Sequence, residues 1–135
     1  MDPADWEIVK STPLFGAMSS QTAEVLVGNT VPRLYEKGTT LFLQGEPATA
    51  FFIVLDGWVK IYRTTPDGLE VVLHVFKSGE TFAEAAIFLG GRYPASGETV
   101  SPSRLLKVDG STFRARIEER PELAMSMLAS ASFQL

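Results

Sequence analysis

Between Thr39 and Phe76 the chain alternates short apolar runs with polar, glycine-centred breaks. The runs are Thr39–Leu43, Ala50–Leu55, Trp58–Thr64 and Leu69–Phe76, rich in the β-branched and aromatic residues that suit a pleated, half-buried surface. Within Trp58–Thr64 the pattern has period two: Trp58, Lys60, Tyr62 and Thr64 share one face, and Val59, Ile61 and Arg63 the other. Phe51–Leu55 does not alternate, which predicts a strand buried on both faces. Glycines stand at 38, 45, 57, 68, 79 and 90, separated by 7, 12, 11, 11 and 11 residues. Short strands with turns at such intervals predict a sandwich or barrel, here with about eight antiparallel strands over 31–109. Arg63–Leu69 reads as a hairpin in which Asp67-Gly68 supplies the positive φ values, and Asp56-Gly57 turns the chain between two further strands.

The ends carry a helical pattern instead. Ser19 or Ser20 can cap a helix running through Gln21, Ala23, Glu24 and Leu26 to Gly28, which suits a C′ position. Pro121 suits the first turn of a last helix, continuing from Glu122 to the end. Leu123, Met125, Met127, Leu128, Phe133 and Leu135 nearly encircle that helix, so it needs a partner surface, and a second copy of the chain is the expected one. A third interruption is Gly79–Leu89, where Ala83-Glu84-Ala85-Ala86 favours a short helix in mid-barrel. Its N-terminal amides would attract an anion. Glu84 in its first turn either complements the helix dipole or accepts hydrogen bonds from a ligand's hydroxyl groups.

Composition narrows the function. A length of 135 residues fits one domain. With no cysteine there is no disulfide, thiolate zinc site or iron–sulfur cluster, and His74 is the only histidine. A cupin-like barrel enzyme, which typically holds its metal with two or more histidines, is therefore disfavoured, and the chain reads as a binding module and not an enzyme. The net charge of -4 and a pI near 5.0 argue against nucleic-acid contact by these residues. The start, Met-Asp-Pro-Ala-Asp-Trp, lacks the basic and apolar regions of a signal peptide, and no apolar run is long enough to span a bilayer. These features predict a cytoplasmic protein that does not engage membranes.

Val31–Tyr35, Thr39–Leu43, Gln44-Gly45-Glu46-Pro47, the run from Phe51 to Tyr62 and the segment from Gly79 to Phe88 form an ordered set. Through that set, residues 5–135 resemble the sensor domain of the Crp/Fnr transcription regulators. The resemblance implies a mostly β fold with flanking helices, a double-stranded β-helix (jelly-roll) barrel of the cyclic-nucleotide-binding type. It implies a sensor domain over 1–120, the start of a dimerisation helix over 121–135, and a DNA-binding helix-turn-helix domain that is absent from this chain. It also implies a homodimer formed through the C-terminal helix, a small-molecule effector, and DNA contact only through the missing domain. Phe82-Ala83-Glu84-Ala85 and Tyr93-Pro94-Ala95-Ser96 look like the nitrogen-oxide-responsive branch that regulates denitrification.

The ligand-binding residues implied are Phe82, Ala83, Glu84, Ala85, Arg92, Tyr93, Ala95 and Ser96. In cyclic-AMP-binding members a Glu holds the ribose hydroxyl and an Arg the phosphate. Glu84 matches the Glu, Ala83 replaces the usual Gly, and Pro94 stands at the Arg position, with Arg92 two residues early. Losing a bidentate Arg–phosphate contact weighs against tight cyclic-nucleotide binding. Some relatives bind haem through N-terminal histidines; the matching stretch here, Ser11–Phe15, has none, which leaves His74 or a methionine as ligand. Regulatory domains of kinases and channels share the barrel and are the alternative reading.

Overall fold

The structure, a computed structural model, describes residues 1–132. In chain order it contains α1 (Pro3–Ser11), α2 (Ser20–Val27), β1 (Arg33–Tyr35), β2 (Thr40–Phe42), β3 (Ala50–Asp56), β4 (Val59–Thr64), β5 (Glu70–Phe76), β6 (Thr81–Phe82), α3 (Glu84–Phe88), β7 (Ser96–Thr99), β8 (Ser103–Asp109), α4 (Gly110–Glu119) and α5 (Pro121–Ser132). The strands form two four-stranded sheets, ordered β1-β8-β3-β6 and β2-β7-β4-β5, and every pairing is antiparallel. The jelly-roll expectation holds.

β3 explains the two-layered core. Phe51, Ile53 and Leu55 point to the helical side, where they pack with Val9, Phe15, Leu26, Phe113 and Leu123. Phe52 and Val54 point into the barrel, against Phe42, Val59, Phe82 and Leu105. Each face meets a different apolar cluster, so the run has no polar position to alternate with. The ring of Phe51 meets Phe113 edge-on, with centroids 4.9 Å apart.

The punctuating glycines sit where the spacing requires them, all with positive φ, from 65° at Gly90 to 98° at Gly57. At Gly57 a Cβ would also lie 2.7 Å from the Pro102 carbonyl oxygen, so both handedness and space demand glycine there. Gly28 differs from expectation. It ends α2 in the right-handed region, with φ -61°, and is not a left-handed cap. Crowding accounts for it, because a Cβ would stand 2.7 Å from the Glu24 side chain.

Two helices escaped the sequence reading. α1 starts from Asp2, whose carboxylate accepts from Asp5 N at 2.9 Å, with Pro3 following. α4 is capped by Asp109, accepting from Thr112 N at 2.8 Å. Buried Asp5 fixes α1 to β8 through two hydrogen bonds from Arg104, at 3.1 and 2.8 Å. Ser19 caps α2 as expected. In α5, Leu123 and Met127 are buried in the helical-side cluster while Met125 and Leu128 face outward, so one face is already covered by this chain. Phe133 and Leu135, which contributed to the expectation of an all-apolar helix, lie outside the described residues. Among the described residues no helix is long and apolar enough to cross a membrane.

Candidate functional site

The barrel interior opens beside α3. Phe82 ends β6, and the chain turns sharply at Ala83, the only non-glycine residue with positive φ among the described residues, at 70°. α3 then starts at Glu84. An L-residue in this conformation costs roughly 1–2 kcal/mol, so Ala83 holds the backbone in a shape natural to glycine. After α3, residues 90–95 fold back across the β2–β3 loop. Tyr93 N donates to the Glu46 carbonyl and Gly45 N to the Tyr93 carbonyl, both at 2.9 Å, and Ala48 N donates to the Gly91 carbonyl at 3.0 Å.

Together these segments form a half-open cavity of about 180 Å3 lined by Phe42, Ile61, Phe76, Phe82, Ala83, Ala85, Ala86, Tyr93, Pro94 and Ala95. Stacked rings stiffen the wall: Tyr93 on Phe42 at 4.0 Å, Phe52 on Phe82 at 5.1 Å, and Phe76 on Phe82 at 5.3 Å. No charged side chain lines the cavity. The Tyr93 hydroxyl turns away from it, donating to the Ala50 carbonyl at 2.7 Å and accepting from the backbone N–H groups of Ala50 and Thr49. Tyr93 therefore offers a ligand its ring face and no hydrogen bond.

Of the residues the sequence implied, Phe82, Ala83, Ala85, Tyr93 and Ala95 meet at the cavity, and three stand elsewhere. Arg92 is exposed in the ladder with the β2–β3 loop, and its Nη1 donates to the Gly45 carbonyl at 2.9 Å. The buried Ser96 Oγ accepts from Gln44 N at 2.8 Å. Glu84 lies at the head of α3 but does not line the cavity; its Oε2 is buried and has no hydrogen-bond partner among the described residues. Burial pushes the Glu84 carboxyl above the usual carboxylate range, against the opposing pull of its own backbone N–H and of Thr81. Folding thus disfavours the charged form of Glu84, a penalty present at neutral pH and lifted as pH falls through the raised value.

Four wall residues went unnoticed: Phe42, Ile61, Phe76 and Ala86. Ile61 was legible from the alternation of β4, which puts it on the inward face with Val59. Phe76 was hidden because β5 is apolar nearly throughout. His74 is exposed, pairs across from Ile61 and packs its ring on Phe76 at 4.3 Å.

The lining differs from what a cyclic nucleotide requires. Ligand pockets typically span about 300–1,000 Å3, and a phosphate deprived of water needs charge-assisted donors. The cavity is smaller than that, Pro94 has no side-chain donor, and Arg92 is not among the lining residues. A haem, larger still, does not fit this volume either.

The cyclic nucleotide-binding domain family profile matches residues 32–120. The chain is 30% identical over 122 residues to the CRP-like cAMP-activated global transcriptional regulator of Mycobacterium tuberculosis, covering 90% of this chain and 54% of that protein. It thus spans about half the length of the curated relatives it matches. It superposes on the crystal structure of DNR from Pseudomonas aeruginosa with a TM-score of 0.85 at 32% identity, covering 99% of this chain and 60% of that one. On the sensor domain of the same regulator the TM-score is 0.77 at 35% identity, covering 96% of this chain and 87% of that one.

Proposed function

The chain belongs to the cyclic nucleotide-binding domain family, with the sensor barrel of the Crp/Fnr type, and from that premise we propose what it senses. Residues 1–120 form an effector-sensing domain whose effector is a small, largely apolar molecule and not a cyclic nucleotide. The helix from Pro121 is the start of a dimerisation helix, and a DNA-binding helix-turn-helix domain outside this chain receives the signal. The working unit is a regulatory homodimer in the cytoplasm, without catalytic activity.

One observation carries the effector reading: the side chains that line the cavity beside α3 are apolar, apart from Tyr93, whose hydroxyl is engaged elsewhere. An apolar cavity of about 150 Å3 in another protein stays dry and takes up benzene or xenon, so this one has room for a ligand of that class. Binding would work by filling. A ligand seated between Ile61 and Phe76 on one wall and Ala85 and Ala86 on the other couples β4 and β5 to α3. Because packed interiors shift between discrete arrangements, such a wedge biases neighbouring elements. α4 contacts both α3 and α5, and so connects the cavity to the terminal helix.

Methyl NMR tests this. Adding benzene should produce saturable shifts at Ile61, Ala85 and Ala95, and filling the cavity by Ala86→Phe should abolish them. Absence of saturable shifts with benzene, or the same shifts produced by cyclic AMP, would overturn the reading.

A further inference from the structure

We propose that Arg63 is an anion-holding residue at the mouth of this cavity, and that the effector class is a small apolar molecule ending in a carboxylate. The proposal rests on the apolar-effector reading above and adds a polar end to it.

Arg63 and Ile61 stand on the same face of β4, and Ile61 is a cavity wall. β4 stays in regular register with β7 through this stretch, Ile61 opposite Gly97 and Tyr62 opposite Ser96. The irregularity is on the β5 side, where the register shifts between Ile61 and Tyr62. From β4 the Arg63 side chain reaches across to the loop that replaces the usual phosphate clamp, and its Nε donates to the Pro94 carbonyl at 3.2 Å. Pro94 is itself a cavity wall. The guanidinium is therefore anchored to a lining residue from a strand that carries another.

That hydrogen bond uses one of the five donors of a guanidinium. Among the described residues the ion pairs involve Lys60, Arg104 and Arg120 but not Arg63. With Nε committed to Pro94, the two Nη groups remain to present N–H donors to a carboxylate. The chain carries a net charge of -4, so an anion needs a local cation to approach. The residue that departs from the family pattern, Pro94, lacks a side-chain donor but supplies the carbonyl that positions a different arginine from the opposite wall. A compact cavity with one guanidinium at its edge suits an apolar monoanion better than a ribose phosphate.

The test compares benzoate with its neutral near-isostere benzyl alcohol by calorimetry, on the chain and on Arg63→Gln. Benzoate should bind about tenfold tighter than benzyl alcohol, with the advantage shrinking as salt rises. Arg63→Gln, at an exposed position, should erase that preference and leave benzyl alcohol unchanged. Equal affinities for the two ligands, or a benzoate preference that survives Arg63→Gln, would overturn the proposal while leaving the apolar cavity reading intact. Failure of both ligands to bind would overturn that reading and this proposal together.

Discussion

β3 and β5 are both seven residues long and almost wholly apolar, Ala-Phe-Phe-Ile-Val-Leu-Asp against Glu-Val-Val-Leu-His-Val-Phe. β3 is buried from Ala50 to Leu55, whereas β5 is exposed from Glu70 to Val75 and half-buried only at Phe76. The difference lies in their neighbours. β3 pairs with β8 on one side and β6 on the other, and the helices cover its outer face. β5 pairs with β4 alone, at the edge of the second sheet. Apolar content reports that a strand wants cover; only the topology tells whether this chain supplies it. The cavity lies on the under-covered side, between the last turn of β5 and α3.

Paired substitutions put numbers on that contrast. Phe51→Ala removes a fully buried ring packed on Phe113 and should cost about 3–5 kcal/mol in denaturant unfolding. Leu73→Thr, at a side chain 51% exposed, should change stability by less than about 0.5 kcal/mol. If the two costs came out similar, β5 would be buried in solution and the comparison would fail.

A smaller effect, of opposite sign, belongs to the site. Ala83→Gly should stabilise the chain by about 0.5–1 kcal/mol, because relief of the left-handed alanine outweighs the added freedom of glycine in the unfolded chain. Destabilisation, read by thermal unfolding, would mean that the Ala83 methyl group contributes more as cavity wall than its backbone costs.

Much of the fold was legible because its signals are local. Positive φ needs glycine, so the turns are written at Gly38 through Gly90; two-sided burial removes alternation, so β3 is written in Phe51–Leu55. α1 and α4 escaped although their caps, Asp2 and Asp109, are visible in the sequence, because polar faces dilute their apolar periodicity. The site was half legible. The residues from Phe82 to Ala95 are close in sequence, and five of those implied by resemblance meet at the cavity. Phe42, Phe76 and the contact of Arg63 with Pro94 depend on strands brought together by long-range pairing, which no local pattern encodes. Arg92 and Ser96 carry suitable chemistry but are turned to the Gly45 carbonyl and to Gln44 N, an outcome decided by the loop ladder and not by residue type.

On the proposal above, an apolar cavity stands in this barrel in place of a phosphate clamp. Calorimetric titration of the unmodified chain with cyclic AMP and cyclic GMP tests it most directly. Neither nucleotide should bind saturably below millimolar concentration, since no charged side chain lines the cavity. Micromolar or tighter binding of either nucleotide would contradict it.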